Sequence, residues 1–270
     1  MTALLINSLL GVVVGVILAL TGAGGGILAV PLLLFGAQLS MPQAAPIALL
    51  AVGMSAALGA VLGLKAGMVR YKASLLMAAA GMLLAPVGLW LAHRTDDRWL
   101  SVLFALILLF IAYRTFRRAR DPLAGAQHLD APSQACVRNA GSGRFIWTTH
   151  CARVLGTSGM LSGLLSGLLG VGGGFVLVPA LQRYTDLDMA SIVATSLMII
   201  ALISASGVVA SALAGTLSWP VAVPFTVGSL IGMFGGRLVA ARLAGAHLQT
   251  GFALVAATVA LGMIAKNFFF

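Results

Sequence analysis

Residues 22–31 read Gly22-Ala23-Gly24-Gly25-Gly26-Ile27-Leu28-Ala29-Val30-Pro31, and residues 170–179 read Gly170-Val171-Gly172-Gly173-Gly174-Phe175-Val176-Leu177-Val178-Pro179. The two stretches lie 148 positions apart, and the likeness extends beyond them. Gly11, Gly15, Leu20 and Leu33 recur at the same offset as Gly159, Gly163, Leu168 and Leu181. So do Gly59 with Gly207 and Gly67 with Gly215, and Tyr71 is matched by Trp219. The chain is an internal duplication, and duplication is a frequent construction of secondary transporters.

Each glycine cluster interrupts an apolar segment too long for one membrane helix. Residues 3–36 as a single helix would reach about 51 Å at ~1.5 Å per residue, against a hydrocarbon core of ~30 Å. Residues 154–182 would reach about 43 Å by the same arithmetic. Each glycine costs ~1 kcal/mol in a helix interior relative to Ala, so a run of them invites unwinding. Pro31 and Pro179 then remove a backbone donor and kink the remaining helix. Each first segment is read as two half-helices joined by an opened, glycine-lined turn.

Composition settles the class. Only 8% of the 270 residues are charged, 60% are hydrophobic, and the mean hydropathy is +1.08. An ordinary soluble domain carries about 25% charged residues. No charge occurs in 1–64, 73–93, 99–113, 154–182, 189–236 or 243–265, and apolar runs this long read as transmembrane helices. The expectation is an all-α polytopic membrane protein with four apolar segments in each half. Repeats over 1–113 and 154–270 flank a basic polar linker, 114–153. The first cation is Lys65, too late for the n-region of a cleavable signal peptide, so the opening apolar run is expected to stay.

The net charge of +10 is spread over loops as Lys and Arg, a mark of membrane orientation rather than of nucleic-acid binding. If each glycine turn makes its segment re-entrant, each half crosses three times and the halves are inverted. Lys65, Arg70, Lys72, seven linker arginines, Arg183, Arg237 and Arg242 then share one side, leaving Arg94, Arg98 and Lys266 opposite. Four crossings per half divide the cations less unevenly. The positive-inside rule prefers the re-entrant threading and places the linker in the cytoplasm of a bacterial-type inner membrane. Arg237, where an apolar run ends, is expected to snorkel to the interface.

Opened backbone at membrane depth is tolerated where it lines a cavity or is buried in protein. The half-helix after each turn offers free N–H groups and a positive dipole end, which favour an anion. Gly22, Gly24, Gly25 and Gly26 with Gly170, Gly172, Gly173 and Gly174 are therefore the candidate substrate-binding residues. Gly25 and Gly173 in particular are expected to bare backbone N–H groups to the anion. Gly11, Gly15, Gly159 and Gly163 suit close helix packing instead.

The doubled glycine-proline pattern resembles the TauE/SafE sulfite-exporter-like permeases. The similarity extends to Ala194-Thr195-Ser196-Leu197 and to Gly228-Ser229-Leu230-Ile231-Gly232-Met233-Phe234-Gly235-Gly236-Arg237-Leu238. The resemblance implies a permease or exporter of small sulfur-containing anions such as sulfite, sulfoacetate or other organosulfonates. Thr195 and Ser196 join the candidate site, with local helix bonding as the competing reading. The first half departs from the pattern, with Ala45-Pro46-Ile47-Ala48 at the matching place.

No cofactor and no metal site is expected. The histidines, His93, His128, His150 and His247, lie outside membrane centres. Cys136 and Cys151 are too few for a disulfide framework and are read as incidental. Gly156-Thr157-Ser158-Gly159 fits a G-x-S-G pattern, but a serine nucleophile needs a base within reach, and His247 alone comes after it in the chain. The expected activity is transport, not catalysis, with a non-transporting membrane scaffold or, on the weaker G-x-S-G signal, an intramembrane serine protease as the alternatives. The expected partners are a small anion and the lipid bilayer; the sequence specifies no oligomeric state.

Overall fold

The computed structural model describes residues 2–22, 24–120, 135–136, 147–243 and 254–263. The first half comprises α1 (Thr2–Thr21), α2 (Gly24–Gly36), α3 (Met41–Lys65), α4 (Tyr71–Arg94) and α5 (Asp97–Arg120). The second comprises α6 (Thr149–Leu169), α7 (Gly174–Tyr184), α8 (Met189–Leu213), α9 (Trp219–Leu243) and α10 (Leu254–Met263). This is an all-α membrane protein. By length and composition α3, α4, α8 and α9 can each cross a bilayer.

The duplication extends to helix boundaries. α3 and α8 begin and end 148 residues apart. Their N-caps, Ser40 and Asp188, hold the same offset. Gln43 Oε1 accepts from the Ser40 backbone N–H, and the Asp188 carboxylate accepts from the Ser191 N–H. Both devices occupy donors that a helix start leaves without partners. Both helices close on a left-handed glycine, Gly67 at φ 69° and Gly215 at φ 68°.

Each first segment folds into a helical hairpin. The Gly25 Cα faces the Leu18 backbone near the turn, and Gly36 lies against the Leu10 side chain at the far end, so α2 doubles back along α1. In the second half the Cys136 N–H donates to the Tyr184 carbonyl at the end of α7. Cys136 is also disulfide-bonded to Cys151 at the start of α6. The two ends of that hairpin are thereby drawn together.

This pairing corrects the reading of the cysteines as incidental. Both are buried, and the hairpin supplies what the sequence spacing does not show, a return of α7 to the origin of α6. α5 is helical through Arg120, so the first residues of the segment expected as linker continue a helix. The C-terminal part of the expected segment 248–265 is seen as α10; 244–253 lies outside the described residues.

Small residues let the halves interlock. Gly228, Gly232 and Gly236 of α9 face the backbones of Ser8, Val12 and Val16 of α1. Positions rise together, so α1 and α9 run parallel. Gly159, Gly163 and Gly167 of α6 likewise face Met77, Gly81 and Ala85 of α4, again parallel. Any Cβ on Gly15 or Gly163 would land on the partner backbone, which is the close-packing role expected of them. At the centre, Gly53 meets Ser204, Gly59 meets Leu197 and Gly63 meets Ala194. Here positions fall as partners rise, so α3 and α8, equivalents in the two halves, run antiparallel.

The outside of the bundle is apolar. Leu83, Leu213, Ile231, Phe234, Leu238 and Leu261 are exposed, which suits a lipid surround. Trp90, Trp99 and Trp219 are exposed near one end of the bundle, and Tyr71 near the other. Such aromatic belts mark the two membrane–water interfaces.

Candidate functional site

The middle of the crossing between α3 and α8 is where the two glycine turns meet. Val52 and Gly53 lie halfway along α3, and Ile200 lies near the middle of α8. A Cβ at Gly26 would sit 2.6 Å from the Val171 carbonyl oxygen and 3.3 Å from Val52 Cγ1. One at Gly172 would sit 3.0 Å from Ile200 Cγ2, 3.2 Å from Ser204 Oγ and 3.3 Å from Val52 Cγ1. Val52 thus touches both turns, and the turns touch each other. The outer ends of the turns obey the same symmetry: Gly22 rests on Val193 and Gly170 on Ala45, positions 148 residues apart.

The turns differ in how far they open. In the second, Gly170, Gly172 and Gly173 all adopt left-handed φ near 70°, which a Cβ would strain. α7 begins only at Gly174, with Gly173 as its N-cap. In the first, Gly22 is left-handed and α2 already begins at Gly24. Among the described residues, the expected opened backbone is therefore found mainly in the second turn. α7 starts two residues after Gly172, the glycine that faces Val52, Ile200 and Ser204, and the N–H groups that open a helix lack intrahelical acceptors.

The structure sorts the candidate glycines by what they face. Gly26 and Gly172 face the junction between the halves. Gly25 faces the backbone of Leu18, and Gly173 faces Ser162 of α6, whose hydroxyl donates to the Gly173 carbonyl at 3.0 Å. Both pack against their own first helix. Gly24 and Gly174 open α2 and α7, while Pro31 and Pro179 are carried inside them.

Thr195 and Ser196 are buried, and both hydroxyls are engaged. Thr195 Oγ1 accepts from the Arg70 backbone N–H at 3.1 Å, tying α8 to the α3–α4 connection. Ser196 donates to the Val193 carbonyl of its own helix. Arg237 does not reach outward as expected: its guanidinium donates to the Gly59 carbonyl at 2.9 Å, bracing α9 on α3. Ser158 donates to the Val154 carbonyl one turn back, and His247 lies outside the described residues.

Ser204 stands apart from the other serines of α8 in a way the sequence does not signal. Its neighbours Ser206 and Ser211 on α8 donate to the carbonyls of Ile203 and Gly207, the usual fate of a hydroxyl in an apolar helix. The Ser204 hydroxyl is fully buried and has no hydrogen-bond partner. Nothing in the local sequence separates it from the others.

Two hairpins broken at glycine, pressed together where two antiparallel equivalent helices cross, define a membrane transporter of duplicated construction. Comparison with known proteins places it more narrowly. Residues 8–263 match the family described as sulfite exporter TauE/SafE, and the chain belongs to that family. A "probable membrane transporter protein" of Xylella fastidiosa strain 9a5c is 30% identical over 262 residues, covering 95% of this chain and 93% of its own. Its counterpart in strain Temecula1 is 27% identical over 261 residues with the same coverage. The "probable membrane transporter protein YunE" of Bacillus subtilis strain 168 is 27% identical over 244 residues, covering 86% of this chain and 85% of its own. No solved structure matches the chain.

Proposed function

We propose that the protein is a permease for small anions, with sulfur oxyanions and organosulfonates such as sulfite or sulfoacetate as the substrate class. The observation that carries this reading is the meeting of the two glycine turns, Gly26 on Val171, at mid-height of α3 and α8. An anion held there would face the free N–H groups and positive end of α7. Substrate sites of duplicated transporters lie near the bilayer midplane between the repeats. The family to which the chain belongs favours a sulfur-containing anion.

The hairpins are re-entrant in this reading, and the repeats over 1–113 and 154–270 are inverted, a relation supported by the antiparallel course of α3 and α8. Lys65, Arg70, Lys72, Arg153, Arg183 and Arg237 gather at one end of the bundle, and Arg94 and Arg98 at the other. The basic end, with linker 114–153, faces the cytoplasm of an inner membrane by the positive-inside rule. Lipid and a small anion are the partners required.

Uptake into liposomes containing purified protein, with a panel of sulfite, sulfoacetate, taurine, sulfate and thiosulfate, tests the function. Saturable uptake of one sulfur anion is expected. Absence of uptake across the panel by monodisperse protein would favour a non-transporting scaffold.

A further inference from the structure

We infer that Ser204 is a substrate-binding hydroxyl and that it makes the anion site one-sided, built mainly on the second half. This deepens the permease reading above and rests on it. The hydroxyl lies 3.2 Å from the position a Cβ would take on Gly172, and the Ser204 Cβ abuts Gly53. The side chain therefore stands between the middle of α3 and the opened turn that leads into α7.

A hydroxyl carries one donor and can accept as well, and buried polar groups are as a rule hydrogen-bonded. Ser196, Ser206 and Ser211 on the same helix satisfy this by donating to their own backbone. Ser204 does not, so its hydrogen is free for a group that enters from the turn. That group must be an acceptor if it is also to meet the N–H groups at the start of α7. An oxyanion satisfies both: one oxygen for the hydroxyl and another for the backbone donors, each bond charge-assisted.

The mirror position explains the one-sidedness. The residue 148 positions before Ser204 is Ala56, which has no donor, and α2 starts two residues earlier relative to its turn than α7 does. The first half therefore lacks the hydroxyl, and the counterparts of the left-handed Gly172 and Gly173 are already part of α2. It contributes Val52 and Gly26 as a wall and a close approach, and the second half contributes the donors.

Equilibrium titration of sulfite into purified full-length protein, paired with uptake in liposomes, tests this on Ser204→Ala, Ser204→Cys and Ser206→Ala. Removing a hydroxyl that bonds an anion should weaken binding about tenfold or more, in Ser204→Ala and, because a thiol is a weak donor, in Ser204→Cys. Removing a hydroxyl without a protein partner should leave thermal stability without ligand unchanged or raised. Loss of affinity with stability retained is the expected signature, and Ser206→Ala should keep wild-type affinity. Unchanged affinity in both Ser204 variants, or an equal loss in Ser206→Ala, overturns the assignment while permease function in the wild type stands. Failure of the wild type to bind or carry any anion of the panel removes the permease reading and this inference together.

Discussion

The hydroxyls of Ser55 on α3 and Ser229 on α9 lie 2.7 Å apart, fully buried, joining residues 174 positions apart. The mirror pair is Ile203 and Gly81, where Ile203 Cδ1 fills the space that a Cβ on Gly81 would need. The same contact between halves is thus made once by a hydrogen bond and once by an apolar side chain over a glycine.

That hydroxyl pair makes a double-mutant cycle informative. Ser55→Ala or Ser229→Ala alone strands one buried hydroxyl and should cost about 1–3 kcal/mol. The double variant removes both partners and should cost less than the sum of the two. Reversible unfolding in mixed micelles reads the difference. Strict additivity would mean that the two hydroxyls do not interact in the membrane.

Glycine substitutions should separate packing from binding. Gly15→Ala and Gly163→Ala place a methyl on a neighbouring backbone, and Gly25→Ala and Gly173→Ala do so against α1 and α6. All four are expected to lower the yield of folded protein, by overpacking that typically costs about 1–3 kcal/mol. Gly172→Ala meets side chains no closer than 3.0 Å but must hold a left-handed φ of 71°, at a cost of about 1–2 kcal/mol, so only part of the protein should fold, with anion affinity reduced in that part. Size-exclusion profiles and sulfite titration on matched monodisperse protein distinguish the two outcomes. Normal yield with lost affinity in Gly25→Ala would move the site to the hairpin's inner face.

Opposite orientation of the halves has a direct test. Ala66 and Ala214 are exposed helix ends at mirror positions. In a background with Cys136 and Cys151 replaced by Ser, Ala214→Cys should react with a membrane-impermeant maleimide in intact cells. Ala66→Cys should react only after the membrane is opened. Labelling of both from outside would rule out inverted repeats, and the reverse pattern would invert the orientation drawn from charge.

The disulfide and the charge bias together predict a redox-dependent state. In the proposed orientation this end lies in the cytoplasm, which keeps thiols reduced, so alkylation during lysis should find Cys136 and Cys151 both free. After purification without reductant the two should be found as one intramolecular bond. Closing a loop with a sequence separation of 15 can stabilise by about 3 kcal/mol, so the oxidised protein should unfold at higher temperature than the reduced protein. A bond already complete in freshly trapped cells would place this end of the bundle on the oxidising side.

Coupling should not depend on acidic side chains within the membrane. The chain has no Glu, and Asp96, Asp97, Asp186 and Asp188 lie at helix ends or connections. Proton-coupled carriers commonly use intramembrane Asp, Glu or His. Asp→Asn changes at these four positions should therefore leave the pH dependence of uptake unaltered. Loss of that dependence in any one of them would identify a proton-carrying residue.

The helical membrane class and the duplication were legible from sequence alone, because they rest on local properties. Charge-free runs enforce helices in lipid, where every backbone group must be satisfied within its own segment. Glycine clusters before Pro31 and Pro179 mark breaks through the propensity of the residues themselves. The packing role of Gly15 and Gly163 was likewise legible from spacing. Which glycine faces what was decided by tertiary structure: Gly25 and Gly26 are neighbours in the chain, yet one meets Leu18 and the other the opposite half at Val171. Ser204 differs from Ser206 in being fully buried between Gly53 and Gly172, and the pairing of Cys136 with Cys151 depends on α7 returning along α6. Each of these is set by residues distant in the chain, brought near when antiparallel α3 and α8 cross and the hairpins close over them.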